Sequence, residues 1–398
     1  MEHIFWTLHP VRIPNAVRAK KEYVYDSQGT EYIDLESGIW CTSIGHNHPR
    51  ICQVIRNQSE ELIHTGYIYA HQVIEESAIE LLETMGLDDG KGVFLCSGSE
   101  AIEFGVRLAQ KIMDRPFLLS MSDSYYGAYG SATTRDAGAW TAFDWLDRCK
   151  TCPKTEVCDR DCTHFQSIPF NQLGGFLFEP GSSSGFVRFP PKGLVRLICE
   201  TIQSEGGLVL VNEITTGIGR TGRWYGFEHY GIKPDIVAIG KGIGNGYPVS
   251  FTGISKQCVD CWEGRPFPYA QSHQYDPLGA RVALEVVRVI KEEGLIDRAR
   301  NEGIFLKNAL EGLKTRYSMI QEVRGRGLML AIDLDQAQGV FEGLLANRFI
   351  LSLRLGGKTL RLDPCLNVNR QTLERFLVCL ESLLKPGNAI EQPVSSNP

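Results

Sequence analysis

The sequence has no apolar run approaching the roughly 20 residues that a membrane-crossing helix needs. Its first sixteen residues also lack the basic-then-apolar order of an export signal. A cytoplasmic protein with no membrane partner is the expectation. Lys/Arg clusters are missing too: 41 basic side chains stand against 47 acidic ones, for a net charge of −6. That balance argues against nucleic acid or an anionic membrane as the main partner. No internal repeat of fixed period runs along the chain, which argues against solenoids and propellers.

What is present is a globular composition, with 43% hydrophobic and 22% charged side chains over 398 residues, enough for two or three domains. Short apolar runs (Val93 to Cys96, Phe117 to Met121, Phe176 to Phe178, Leu208 to Val211, Ile236 to Ile239) alternate with helical periodicity at 50–64, 73–85, 99–113 and 193–204. This order predicts an α/β fold with a mostly parallel central sheet covered by helices. Beyond residue 277 the texture changes to helices at 277–293, 296–316 and 371–384 around strands at 328–334 and 359–362. A smaller α+β domain is expected there, joined by hairpin strands around Ser27 to Thr30. The expected boundaries are 1–45 for the N-terminal segment, 46–276 for the large domain, 277–385 for the small domain and 386–398 for a flexible tail.

Three segments carry chemistry. In the first, a lone lysine, Lys241, stands between Gly240 and Gly242 where the run Ile236 to Ile239 ends. Ligands bind at such strand ends in open α/β sheets, glycines admit a bulky planar ligand, and desolvation frees a lysine amine for Schiff-base chemistry. An ordinary solvated lysine is the alternative. In the second, Ser97-Gly98-Ser99 turns from a strand into a helix, where free amides and the Ser99 hydroxyl form a phosphate cradle or simply start the helix. In the third, Asn212 and Glu213 end a buried strand and precede a glycine-rich loop, as ligand contacts or as a structural turn.

Cysteine is the surplus residue, at twelve. Cys149, Cys152, Cys158 and Cys162 form a C-x2-C-x5-C-x3-C pattern inside a cysteine-rich loop at 149–164. The spacing suits a structural Zn²⁺ or an iron–sulfur cluster, with free thiols and a disulfide pair as alternatives. The CxxC at Cys258 and Cys261 is read as chance.

The order of Ser37-Gly38-Ile39-Trp40, Gly45-His46-Asn47-His48-Pro49, Ser97 to Ala101, Tyr125-Tyr126-Gly127, Phe178-Glu179-Pro180, Asn212 to Gly222, Pro234 to Gly244 and Arg361 to Pro364 resembles the class III aminotransferases. These are pyridoxal-phosphate enzymes of fold type I, and the resemblance covers about residues 20–385. It implies that Lys241 forms the Schiff base and moves protons, and that Gly98 and Ser99 hold the cofactor phosphate. Tyr125 would stack on the pyridine, Asn212 would face its ring nitrogen and Thr215 would lie near its phenolic oxygen. Ser272 would reach the phosphate of a second copy in a homodimer, Trp40 would wall the substrate pocket, and Arg361 would bind the substrate carboxylate.

The chain departs from the family at several of these positions. Asn212 replaces the usual Asp and brings no negative charge to the ring nitrogen, while Thr215 replaces a common glutamine. Ala128 stands where ornithine and GABA transaminases carry a substrate arginine, and Ser184 where they carry a glutamate that screens the carboxylate arginine. The implied activity is transfer of an amino group from an amine or amino acid to a keto acid. A decarboxylase, racemase or lyase of the same fold and a non-catalytic relative are the other readings.

Overall fold

A computed structural model describes residues 3–385 apart from 6, 8–10, 12, 14, 67, 114, 116, 137, 182, 263–265 and 355. The tail expected from 386 lies outside the described residues. Three N-terminal strands, β1 (Ala16–Lys20), β2 (Tyr23–Asp26) and β3 (Glu31–Asp34), form an antiparallel meander turned at Ser27 to Thr30. Asp26 makes that turn by accepting from the amides of Gln28 and Thr30.

The central sheet contains β4 (Lys91–Leu95), β5 (Phe117–Met121), β6 (Trp140–Phe143), β7 (Leu173–Phe178), β8 (Leu208–Asn212), β9 (Ile236–Ile239) and β10 (Ser250–Ile254). Its seven strands run in the order β4-β10-β9-β8-β7-β5-β6. Only β10 is antiparallel to its neighbours β4 and β9; the other pairs are parallel. Strands β7, β8 and β9 are buried at every residue, as expected of strands covered on both faces. Helices Gly98–Ile112 and Lys192–Ser204 pack against them.

The smaller unit follows the long helices Pro277–Glu292 and Leu295–Arg316. Its sheet holds β11 (Ile320–Arg326), β12 (Met329–Leu334), β14 (Ser352–Leu353) and β15 (Thr359–Leu362) in the order β11-β12-β15-β14. Strand β13 (Phe349–Ile350) pairs in parallel with β3, so the N-terminal meander is part of this α+β domain.

The topology puts one set of strand ends together. Strands β4, β5, β7, β8 and β9 point the same way, and at or just beyond their C-terminal ends lie Gly98, Tyr125, Glu179, Asn212 and Lys241. Among the described residues, no helix is long and apolar enough to cross a membrane.

Candidate active site

Lys241 follows β9 in a left-handed conformation (φ 45°) at the head of a single 3-10 turn, Lys241–Gly244. Tight backbone approach forces the glycines beside it. A Cβ on Gly242 would lie 2.4 Å from Ser43 Oγ, and one on Gly98 would lie 2.8 Å from Ile214 Cγ2. Burial lowers the Lys241 amine below its ordinary value of 10.5, partly countered by nearby Cys41 and Glu179.

The amine faces a cleft of about 340 Å³, which Gly98, Ser99, Tyr125, Asn212 and Thr215 also line. At its floor the helix Gly98–Ile112 begins with a capping box: Ser97 Oγ accepts from Glu100 N–H, and the Glu100 carboxylate accepts from Ser97 N–H. The amides of Gly98 and Ser99, in the first turn, have no helical carbonyl to reach and stand at the positive end of the helix dipole. Ser99 Oγ accepts from Ala128 N–H at 3.0 Å and so ties the cradle to the Tyr125 loop.

Asn212 is 3% exposed and held at both ends of its amide. Its Nδ2 donates to the Tyr125 carbonyl at 2.9 Å, and its Oδ1 accepts from Ile214 N–H at 3.1 Å. The Nδ2 group keeps a second hydrogen and Oδ1 a second lone pair, so Asn212 offers a ligand a neutral donor or acceptor and no charge. Buried Thr215 has no partner for its Oγ1 among the described residues. Glu213 has a structural role: its carboxylate accepts from Thr216 Oγ1, Gly226 N–H and Phe227 N–H at 2.7 to 2.8 Å and pins the glycine-rich loop.

Beside the cleft, Ser37, Gly38, Ile39 and Trp40 form one left-handed turn with φ of 50°, 54°, 58° and 66°. Such backbone costs roughly 1 kcal/mol per L-residue, so it needs external support. Asp34 supplies it by accepting from Glu36 N–H and Gly38 N–H at 2.8 and 3.0 Å, and Ser37 Oγ donates to the Asp363 carbonyl at 2.6 Å. The turn aims Trp40 and Glu36 at Arg361. The Arg361 guanidinium stacks 3.7 Å from the Trp40 ring centroid and pairs with Glu36 at 3.0 Å and Asp363 at 2.5 Å.

The structure therefore brings Lys241, Gly98, Ser99, Tyr125, Asn212 and Thr215 to one cleft, with Trp40 against both Lys241 and Arg361. Ser272 is exposed in the turn before Pro277, outside that lining. Ser184 occupies the position of the family's screening glutamate, and Glu36 pairs with Arg361 from a different segment. Sequence reasoning missed Glu36 because 325 residues separate it from its partner and no motif marks it.

The cysteines at 149, 152, 158 and 162 form no disulfide bonds. Burial and the neighbouring thiols push Cys149 up to about 11. Among the described residues, the donor atoms of His64, His273 and Asp276 lie within 4.8 Å of one another, and no three of these four sulfurs do.

A family profile for Aminotransferase class-III matches residues 9–384. The chain belongs to the class III aminotransferases. Membership brings pyridoxal phosphate and aminotransferase chemistry through a lysine Schiff base. The chain is 29% identical to a leucine/methionine racemase from Thermococcus litoralis, over 92% of this chain and 89% of that one. It is also 29% identical to an acetylornithine aminotransferase from Methanopyrus kandleri, over 91% and 92%. In fold it is similar to a Bacillus anthracis aminotransferase, with a TM-score of 0.87 at 22% identity over 96% of both chains. The cleft fits the cofactor: the orphaned Thr215 hydroxyl, the free first-turn amides and the crowded Gly98 are features of a site shaped for a flat phosphorylated ligand.

Proposed function

We propose that Lys241 is the Schiff-base lysine of this aminotransferase and that the enzyme moves an amino group from a small amine or amino acid to a keto acid. The observation that carries this reading is the buried, deprotonation-prone Lys241 amine opposite an amide cradle in one cleft. Gly98 and Ser99 would hold the phosphate, Tyr125 would cover the ring, Thr215 would meet the phenolic oxygen and Asn212 the ring nitrogen. When bound, pyridoxal phosphate supplies an aldehyde and an electron-withdrawing ring. Burial favours the uncharged form of Lys241 Nζ, which would hold the cofactor as a nucleophile and carry a proton from and to the substrate.

Arg361 is the carboxylate receptor in this reading, with Glu36 as its internal counterion until an acid displaces it. Ala128 stands where ornithine and GABA transaminases carry an arginine for a second carboxylate, so an amine or a monocarboxylic amino acid is the expected donor. Trp40 would wall the pocket beside Lys241 and Arg361. Ser272 is assigned to the phosphate of a second copy, which makes the enzyme a homodimer, and a cytoplasmic location fits its composition.

Racemisation is the second reading, and Asn212 favours it. A neutral amide at the ring nitrogen leaves the ring a weaker electron acceptor than an aspartate would. Incubating holoenzyme with an amine panel separates the two. Conversion to the pyridoxamine form supports amino transfer; inversion at Cα without that form supports racemisation.

A further inference from the structure

The loop that carries four cysteines is built inside out. From Lys150 to His164 every residue is exposed except Cys152, Cys158 and Cys162, and Cys149 at its start is buried. The loop's one large aliphatic side chain, Val157, is 73% exposed. Free thiols are weak hydrophobes, so a fifteen-residue polar segment turned inward only at its sulfurs has little of its own to fold around.

Its backbone is nevertheless organised. Cys152 N–H donates to the Cys149 carbonyl at 3.1 Å, and Cys162 N–H donates to the Asp159 carbonyl at 3.2 Å, so each cysteine pair sits at a tight turn. The middle of the loop presses on the start of the helix Lys192–Ser204. Gly193 N–H donates to the Thr155 carbonyl at 2.8 Å, and a Cβ at Gly193 would lie 2.5 Å from Cys158 N. Cys149 is buried in the core, and Cys158 and Cys162 pack against that same core.

We propose that Cys149, Cys152, Cys158 and Cys162 bind one Zn²⁺ as a closed tetrathiolate site that holds this loop in place, independently of the amino-transfer reading. Each thiol gives its proton to solvent as its Zn–S bond forms. Zn–S bonds of about 2.3 Å set sulfur separations near about 3.8 Å, so binding draws the four sulfurs inward. Lys150, Lys154 and Arg160 flank the four cysteines in sequence and would offset part of the resulting double negative charge. Four protein ligands leave no open position, so the ion is structural. Lys150, Thr155 and Glu156 also wall a cleft that Arg188, Arg324 and Arg326 line, and the metal would fix that wall.

The test is metal analysis and native thiol titration of holoenzyme beside a Cys152→Ser, Cys158→Ser variant. About one zinc per chain in wild type, little in the variant and the cofactor spectrum kept in both is the expected result. X-ray absorption on wild type, expected to show four sulfur neighbours at about 2.3 Å, decides the matter if the variant does not fold. Four thiols that titrate freely in zinc-replete wild type, equal metal in both proteins, or an iron–sulfur chromophore would overturn the proposal.

Discussion

The Arg361 guanidinium and Glu36 Oε1 meet at 3.0 Å, with Arg361 2% exposed and stacked on Trp40. An arginine so placed is already neutralised, and a substrate carboxylate has to compete with Glu36 for its fork.

That competition gives the first prediction. Glu36→Gln removes one of the two carboxylates on Arg361, leaves Asp363 in place and keeps the shape. Affinity for simple monocarboxylates should rise about tenfold, in line with the ~1.5–3 kcal/mol typical of hydrogen bonds to charged groups. KM for an amine lacking a carboxylate should rise, because the arginine then has only Asp363 to balance it. Equal inhibition of both proteins by a carboxylate would show that Arg361 is not the receptor.

Asn212 gives the second. In Asn212→Asp the Tyr125 carbonyl loses its donor and faces a carboxylate, so the cofactor-free protein should lose roughly 1–3 kcal/mol. The loaded variant should show a shifted cofactor absorption band and a faster amino-transfer half-reaction, because the new charge favours a protonated ring. An unshifted band would place Asn212 away from the ring nitrogen.

Most of the cofactor half of this site was legible in the sequence. Buried parallel strands are continuous apolar runs, and the glycines and small polar residues at their ends have few other reasons to be there. Strand β10 escaped notice because Ser250, Thr252 and Gly253 dilute its hydrophobicity, although all five of its residues are buried. The substrate half was harder to read. Glu36 depends on a left-handed turn at Ser37 to Trp40, a conformation that local sequence opposes and that Asp34 and the Asp363 carbonyl help sustain. Tertiary contacts decide such a feature, and no periodicity announces it.

The pH prediction follows from burial of Lys241. Its folded value lies below 10.5, so folding carries a penalty that is complete below the folded value and vanishes above the unfolded one. Cofactor-free wild type should therefore gain stability relative to Lys241→Met as pH rises through that window. Parallel denaturation curves for the two proteins across alkaline pH check it, and a constant difference would contradict burial of the amine.

Crowding at the cradle gives another. Gly98→Ala puts a methyl group 2.8 Å from Ile214 Cγ2, so the Ile214 side chain or the helix start that carries the phosphate amides has to shift. Cofactor Kd should rise roughly tenfold, the equivalent of about 1.4 kcal/mol, with the fold kept by circular dichroism. An unchanged Kd would mean that the phosphate lies elsewhere.

Borohydride reduction of the purified holoenzyme, followed by peptide mapping, tests the central assignment most directly. The account predicts that a visible absorption band is lost and that the reduced cofactor is found covalently on Lys241, with neither outcome in Lys241→Ala. A reducible band that persists in Lys241→Ala, or label on another lysine, would contradict it.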